Sequence, residues 1–294
     1  MSTTLEPETD ASRGDRVFAF IQERLPTRAL SSLIHWLMGL ESPLFTRLMI
    51  GLFQRLFPQI DLGEAQRRRP AQYRSFNDFF TRALAPDARP LAPEPHWVCP
   101  VDGTVSQLGT IRQGQLIQAK GHRYSSAELL TDPALAGAFE GGEFCTIYLA
   151  PYNYHRIHLP QTGELRDWLY VPGRLFSVNA ATARALPRLF ARNERVVTIW
   201  DTAQGPFALV MVGALFVGSM ETVWTGKISP PHRRGEVERY QPIHPTRLAR
   251  GAEMGRFNMG STVILLSARG RLRYHPSLQP GQPVRMGQAL AEPV

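Results

Sequence analysis

The chain has 294 residues, enough for one large domain or two ordinary ones with a sizeable apolar core. Hydrophobic residues make up 43% and charged residues 20%, a balance that excludes global disorder, collagen and coiled coil for the whole chain. The formal net charge is +8, and only two of the 33 basic residues are lysines, so the surplus of arginine predicts an anionic partner without separating nucleic acid, an anionic membrane and an acidic substrate.

The start of the chain carries no pattern typical of an exported protein. Residues 1–15 are polar and acidic, whereas a secretory signal is basic and then apolar, and we expect them to form a disordered tail. The longest strongly apolar run, residues 208–220, has 13 residues, fewer than the ~20 that a membrane-spanning helix requires. The sequence therefore predicts neither export nor a membrane span.

Residues 16–90 have the pattern of a helical region. Apolar residues recur every three or four positions up to residue 57, and Ser42 followed by Pro43 suits the start of a second helix. We predict two amphipathic helices and then a short helix capped near Ser75. Aromatic residues with interspersed arginines, among them Arg28, Arg47 and Arg55, are typical of helices lying in a lipid interface. A helical cap packed on the protein's own core is the alternative.

Residues 91–294 change to short apolar or alternating runs that glycine and proline interrupt. Such spacing is typical of an antiparallel β-rich sandwich or barrel. Helical interruptions near residues 125–135 and 178–189 make the predicted fold α+β. The best single domain boundary is near residue 90, with amphipathic N-terminal helices before it and a β-rich domain after it.

Several common catalytic motifs are missing from the sequence. It contains no GxxxxGK[ST] phosphate loop, no GxGxxG after a strand, no HExxH and no paired CxxC. The two cysteines, Cys99 and Cys145, lack metal-site spacing, and we expect both to be reduced thiols. Nucleotide and zinc chemistry are therefore disfavoured.

Two histidines, His155 and His158, lie three positions apart after a strand-like run. Side chains at this spacing share one side of a helix but point to opposite sides of a regular strand. Since the strand interpretation is favoured, a bend would be needed to bring the two imidazoles together. One exposed histidine and one satisfied by a local hydrogen bond is the structural alternative.

An aspartate and a serine complete the residue types of a nucleophilic triad. Asp102 precedes a glycine, where aspartate is most often a turn residue, although a carboxylate there can also orient an imidazole. Ser261 follows Gly260, which leaves the preceding carbonyl sterically open. Asp102, His158 and Ser261 match a triad only by type, because triads are recognised by geometry and nearly every chain of this length contains all three residues.

Longer blocks show that the chain resembles the bacterial phosphatidylserine decarboxylases from about residue 25 onwards. The most specific block is residues 253–265 (EMGRFNMGSTVIL), in which Met259 stands where the family usually has leucine, a residue of similar volume. The other matching blocks are residues 73–84 (YRSFNDFFTRAL), 100–109 (PVDGTVSQLG), 118–124 (QAKGHRY), 148–160 (YLAPYNYHRIHLP), 170–179 (YVPGRLFSVN), 189–196 (LFARNERV) and 213–226 (GALFVGSMETVWTG).

The resemblance implies a proenzyme that cuts itself between Gly260 and Ser261 into chains of residues 1–260 and 261–294. Ser261 would attack the Gly260 carbonyl, with His158 as general base and Asp102 orienting the imidazole. This serinolysis is not hydrolytic, and it converts Ser261 into a pyruvoyl group. The pyruvoyl is then the cofactor, with no metal and no pyridoxal phosphate.

The resemblance also implies the reaction, which is decarboxylation of phosphatidylserine to phosphatidylethanolamine and CO₂ in phospholipid biosynthesis. The substrate amine forms a Schiff base with the pyruvoyl, which accepts the charge left by CO₂. His155 is the implied proton donor in this step. The implied location is the cytoplasmic face of the cell membrane, where the protein is peripheral and meets its substrate in an anionic bilayer.

The implied partners are the lipid substrate and the protein's own small chain, and a homo-oligomer stays open. One rival is a family member acting on a soluble serine-bearing substrate. Another is a non-enzymatic binding module, because residues 283–290 resemble the end of lipoyl-like domains. Nucleic-acid binding rests on charge alone and ranks last.

Overall fold

The protein is described by a computed structural model that covers most of the chain. The described residues are 10–119, 122–216, 219–228, 236–260 and 262–294. Residues 1–9 of the predicted tail and the candidate nucleophile Ser261 lie outside these described residues.

Three helices, one more than predicted, form the N-terminal region: α1 (Arg13–Arg24), α2 (Thr27–Met38) and α3 (Pro43–Leu56). The first begins inside the predicted tail because Ser12 caps it. Its hydroxyl accepts a hydrogen bond from the Asp15 N–H, and the Asp15 carboxylate accepts one from the Ser12 N–H. Pro26 separates α1 from α2, since the residue before a proline disfavours helix. Ser42 and Pro43 begin α3 as predicted.

A short helix, α4 (Phe76–Phe80), lies against α3. Its cap is the predicted Ser75, whose hydroxyl accepts from the Asp78 N–H at 3.1 Å. Three phenylalanines of α4 are buried in a cluster that also takes in Met38 of α2 and Ile50 of α3. Helices α2, α3 and α4 therefore share an apolar cluster of their own, whereas Ala19 of α1 packs into a cluster of the β-rich part of the chain.

Many other apolar side chains of α1–α3 remain exposed. Leu44 is 81% exposed, Leu48 66% and Trp36 63%. We call this surface the apolar helix face; its members are Val17, Phe20, Ile21, Leu33, Trp36, Leu44, Leu48, Leu52 and Leu56. Within the described ranges, no helix is both long and apolar enough to cross a membrane.

The rest of the chain is β-rich with four further helices. The strands are β1 (Trp97–Val98), β2 (Gly103–Thr110), β3 (Gln115–Ala119), β4 (His122–Ser125), β5 (Glu143–Tyr148), β6 (Arg156–His158), β7 (Gly163–Val171), β8 (Arg195–Thr202), β9 (Gly205–Val212), β10 (Ser219–Thr222), β11 (Gly226–Ile228), β12 (Glu238–Tyr240), β13 (Arg247–Leu248), β14 (Glu253–Asn258), β15 (Thr262–Ser267), β16 (Leu272–Tyr274), β17 (Pro283–Val284) and β18 (Ala289–Pro293). The helices are α5 (Ser126–Leu130), α6 (Pro133–Gly137), α7 (Ala180–Ala185) and α8 (Leu189–Arg192), where helical interruptions were predicted.

Antiparallel pairing joins these strands into one large sheet and three small ones. The large sheet has nine strands in the order β12-β7-β8-β9-β15-β5-β2-β17, with β13 also pairing with β7. The small sheets are β11-β10-β14-β6, β1-β18-β16 and the pair β3-β4. The predicted α+β class is confirmed. In the part of the chain that the structure describes, the sheets stay open, so the barrel is not formed.

The large sheet is buried on both sides. On its central strand β15, Val263 and Leu265 belong to an apolar cluster shared with β6, β10 and β14, while Ile264 and Leu266 belong to a cluster shared with α5, α7 and α8. This alternation follows the two-residue period of a strand. Both cysteines are free and buried, as expected.

Candidate active site

The predicted cut site lies where the chain passes from one sheet to another. Strand β14 of the four-stranded sheet ends at Asn258, and β15, the central strand of the large sheet, begins at Thr262. Met259 has φ +83° and Gly260 φ +63°, both in the left-handed region. Glycine adopts this region freely, but for methionine it costs of the order of 1–3 kcal/mol. The backbone is therefore strained next to the predicted scissile bond.

The Asn258 side chain anchors the end of β14. Its Nδ2 donates to the hydroxyl of Ser219 at 2.8 Å, and its Oδ1 accepts from Asn77 Nδ2 at 3.1 Å. Asn258 is almost fully buried. These hydrogen bonds connect the last residue of β14 to β10 and to α4. They fix the point at which the chain leaves the four-stranded sheet for the large one.

His155 packs directly against Gly260. A Cβ built on Gly260 would lie 3.6 Å from His155 Cε1 and 3.8 Å from Phe80 Cζ. The imidazole is fully buried and stacks on the Phe80 ring, with centroids 4.1 Å apart and planes 19° apart. Burial, and then the nearby charge of Arg82, lower the pKa of His155 to about 3. This histidine is therefore neutral at physiological pH.

The hydrogen bonds of His155 assign its tautomer. Its Nε2 lies 3.4 Å from the carbonyl oxygen of Pro151, which can only accept, so Nε2 carries the proton. Among the described residues, its buried Nδ1 has no hydrogen-bond partner. The site next to Gly260 thus combines an N–H donor with a free lone pair.

His158 has a different environment, with both ring nitrogens hydrogen bonded. Nδ1 donates to the Gly251 carbonyl at 2.8 Å, which leaves Nε2 to accept from the Tyr154 hydroxyl at 2.9 Å. Only 8% of His158 is exposed, and burial lowers its pKa. Its basic nitrogen is therefore Nε2, and Tyr154 occupies it.

Asp102 is held by a buried ion pair. Arg89 Nε donates to its Oδ1 at 3.0 Å, Arg89 Nη2 bonds to its Oδ2, and the N–H of Met286 donates to Oδ1 at 2.8 Å. No hydrogen bond joins Asp102 to His158 in the described contacts, although the Asp102 charge is close enough to oppose the lowering of the His158 pKa. The structure thus places these two residues in one polar region, where the charge of Asp102 acts across space.

A local irregularity accompanies the two histidines. His158 lies in β6, whose pairing with β14 shifts register between Glu253 and Gly255, while His155 precedes the strand. The extra residue of this bulge lies on β14, the partner strand. In the described contacts His155 lies next to Gly260, whereas His158 bonds to Gly251 and Tyr154, so a bend that brings the two imidazoles together stays a prediction.

Sequence reasoning gave no role to Phe80, Arg82, Arg89 or Tyr154. Phe80 and Arg82 lie in the conspicuous run FFTRAL, in which a single arginine follows two phenylalanines, and Tyr154 precedes His155 directly. Arg89 has no comparable signal, because its importance comes from folding back onto Asp102.

An apolar pocket of about 460 Å³ opens at the crossing. Aromatic side chains from α1, α3 and α4 form one wall, and the turn before β15 forms another. Its residues include Phe18, Phe53, Phe57, Phe80, Met259 and Gly260. In the described ranges, no group of three or more histidine, cysteine, aspartate or glutamate side chains is placed to hold a metal ion.

Known proteins match this chain along nearly its whole length. A family model described as phosphatidylserine decarboxylase matches residues 76–292, and a second, described as PSD, matches residues 17–58. The chain is 50% identical over 283 residues to the phosphatidylserine decarboxylase proenzymes of Pseudomonas aeruginosa strain LESB58 and Pseudomonas putida strain GB-1, covering 95% of this chain and 98% of each relative. The proenzyme of Bordetella avium strain 197N is 49% identical over 281 residues, 95% of either chain.

Proposed function

The chain belongs to the phosphatidylserine decarboxylase family and is a carboxy-lyase, and from that premise we propose that it uses a pyruvoyl group made from its own Ser261. The substrate is phosphatidylserine, and the products are phosphatidylethanolamine and CO₂. The observation that carries the proposal is the packing of His155 against Gly260 at the wall of an apolar pocket.

Self-cleavage begins at the strained turn before β15. Once the Tyr154 hydroxyl moves off His158 Nε2, the hydroxyl of Ser261 gives its proton to that nitrogen and attacks the Gly260 carbonyl. His158 passes the proton to the departing nitrogen of residue 261, so that the peptide C–N bond breaks and an ester forms. Loss of the Cα proton of residue 261 then breaks the Cβ–Oγ bond and releases Gly260 as a carboxylate. Residue 261 is left as dehydroalanine, and water converts its imine tautomer into the ketone with loss of ammonia.

Two observations support these assignments. His158 is neutral with its lone pair on Nε2, as a general base must be. Asp102, through its charge, favours the imidazolium that forms when His158 takes the proton. The scissile bond also has a strained neighbour, because Met259 is held in the left-handed region.

The residues around Gly260 fit a pyruvoyl group. The pocket beside it is largely apolar, and a low-dielectric wall keeps water away from a reactive carbanion. When formed, the pyruvoyl supplies an electron sink for the charge left by CO₂. Among the described residues the Nδ1 of His155 has no partner, and we propose that it takes up the proton that the substrate amine releases on binding. The imidazolium so formed next to Gly260 is the proton donor that we assign to the substrate carbon.

Residues 16–90 form the membrane-associating region, and residues 91–294 form the catalytic domain. The apolar helix face meets the lipid surface, while Phe18 of α1 and Phe53 of α3 line the pocket at the cut site. A phospholipid can then enter the pocket from the bilayer. Arg47 and Arg55 are exposed and add attraction to anionic lipid of ~1 kcal/mol each, whereas Arg28 donates to the Gly173 carbonyl and fastens α2 to the catalytic domain.

Denaturing mass spectrometry tests the cleavage. We expect fragments of residues 1–260 and 261–294, the second beginning with a ketone and lacking the serine amine. Ser261→Ala should stay whole and inactive because it removes the nucleophile. Ser267→Ala, a change on the same strand, is the matched control and should cut normally. A chain that stays whole yet decarboxylates phosphatidylserine would overturn the proposal.

Vesicle sedimentation tests the lipid surface. Replacing Leu44 and Leu48 by serine removes two side chains of the apolar helix face, each worth ~1.5–3 kcal/mol when buried, so binding should weaken at least tenfold. Val237→Ser, an exposed apolar position outside the helices, is the control. Unchanged binding, together with equal turnover of a water-soluble phosphatidylserine, would favour a soluble substrate.

A further inference from the structure

Arg82 is a buried cation whose donors are mostly unused. The residue is 4% exposed, and its guanidinium lies 5.4 Å from the centre of the Phe79 ring. Nη2 makes one long contact, 3.4 Å to the Tyr152 carbonyl. In the part of the chain that the structure describes, Nε and Nη1 have no hydrogen-bond partner. Leaving buried donors unsatisfied is unfavourable, and more so for a charged group.

The acidic residues nearby are already paired with other arginines. Asp102 binds Arg89, and Glu64, whose charge also reaches Arg82, binds Arg89 and Arg285. Arg82 stands within electrostatic reach of Asp102 but makes no ion pair with it. A buried charge without a counter-charge is unfavourable, so this position is suited to an anion that the uncut chain does not contain.

The position of Arg82 relative to the cut site follows from two neighbouring carbonyls. His155 Nε2 faces the oxygen of Pro151, and Arg82 Nη2 faces the oxygen of Tyr152, the next residue. The guanidinium is also close enough to the imidazole for its charge to lower the pKa of His155. On the other side, the imidazole contacts the space next to Gly260.

Self-cleavage, which is the premise of this inference, creates one new anion at this place. We infer that Arg82 binds the carboxylate that cutting leaves on Gly260. The new chain end is no longer held by β15, so it can move past His155 to the guanidinium. Its oxygens then bind Nε–H and the adjacent Nη2–H as a two-point contact, the geometry that arginine favours with carboxylates, in place of the long contact between Nη2 and the Tyr152 carbonyl. This contact also keeps the released end away from residue 261.

The anions of the substrate are weaker candidates. Binding the carboxylate that is to be lost would stabilise the ground state more than the transition state and slow the reaction. The substrate phosphate offers the same oxyanion chemistry, and it is the second source that an experiment must separate. The carboxylate of Gly260 is favoured because it forms within the chain, next to His155.

The contact can be measured without using activity. Protein labelled with ¹³C at the glycine carbonyls gives a titrating signal for the Gly260 carboxyl once the chain is cut, whereas glycine amides do not titrate. We expect its pKa to lie at least about one unit below the ~3.3–3.7 of an ordinary α-carboxyl group. Arg82→Gln should return it to that range, and the exposed Arg74→Gln should leave it low. An ordinary pKa for the Gly260 carboxyl in the unchanged protein would overturn the inference.

Thermal unfolding supplies a second, independent measurement. In cut protein, Arg82→Gln should lower Tm, whereas in the uncut Ser261→Ala background it should leave Tm unchanged or raise it, because there the donors are unsatisfied. Arg82→Lys should restore part of the loss. An equal drop in both backgrounds would mean a purely structural role, and a higher KM for phosphatidylserine with no Tm change would assign Arg82 to the phosphate. If the unchanged protein is never cut, the proposed function fails first, and mass spectrometry shows this directly.

Discussion

The two ends of the motif from His155 to His158 have opposite surroundings. His155 lies on the apolar side, stacked on Phe80 and next to Gly260, and one of its nitrogens has no partner among the described residues. His158 lies on the polar side, near the ion pair of Asp102 and Arg89, with both nitrogens bonded. Three positions in sequence thus separate a neutral imidazole poised at the pocket from one embedded in a hydrogen-bond network. This contrast supports two roles for two histidines.

The largest expected effect is on cutting. His158→Ala removes the proposed general base, a group worth about 10²–10⁴-fold in rate, so the chain should stay essentially whole. His155→Ala should still cut, because it leaves the Nε2 of His158 in place. Gel electrophoresis of the two variants over time measures the difference.

The rate of decarboxylation should depend on the other histidine, His155. Once cut, His155→Ala should release CO₂ about 10²–10⁴-fold more slowly than unchanged protein, because the proton donor is gone. Turnover is measured per cut chain, so that incomplete processing does not count as lost activity. If His155→Ala failed to cut while His158→Ala cut and then stalled, the two roles would be exchanged.

A smaller effect is expected on the free energy of unfolding. It tests whether the polar surroundings of His158 depend on the ion pair of Asp102 and Arg89. Arg89 and Asp102 side chains are 6% and 9% exposed, and removing one partner of such a pair costs about 3–5 kcal/mol. Arg89→Gln should therefore lower the free energy of unfolding by about this amount, measured by urea in the uncut Ser261→Ala background. Arg285→Gln is the control, because that arginine pairs with Glu64 while 67% exposed, and should cost under about 1 kcal/mol. Equal losses would show that burial is not what makes the pair matter.

The smallest expected effect is on the pH dependence of stability, and it comes from His155. The pKa of His155 is about 3 in the folded chain, against about 6.5 for an ordinary histidine. Between these values the unfolded chain takes up a proton that the folded chain refuses, so stability falls as pH falls through this window, by at most about 1.4 kcal/mol per pH unit. His155→Gln should flatten the dependence by that amount. An unchanged slope in urea titrations would contradict the buried, neutral state of His155.

Local sequence patterns predicted much of the architecture correctly. The helix cap at Ser75, the start of α3 at Ser42 and Pro43, and the helical interruptions around α5–α8 are where the sequence placed them. These features depend on neighbouring residues only. The division of the N-terminal region into three helices was not predicted, because the apolar period does not show the break that Pro26 makes between α1 and α2.

The candidate site also has features that the local sequence predicts and features that it does not. Sequence blocks singled out Asp102, His155, His158 and Gly260, and their roles together with that of Ser261 stay predictions. The contacts that these residues make with distant segments could not be predicted from the sequence blocks. Asp102 meets Met286 across 184 positions, and His155 meets Phe80 of a helix in another region.

By itself, the sequence determined the α+β class, the family and the residue types at the site, because periodicity and motifs are properties of neighbouring residues. Only the tertiary structure decided the state of each group. It paired Asp102 with Arg89, placed Tyr154 on His158 and buried His155 against Gly260. It also left two nitrogens of Arg82 without a partner in the part of the chain that is described. Burial and partners set hydrogen bonds and pKa values, and both arise from segments far apart in the chain.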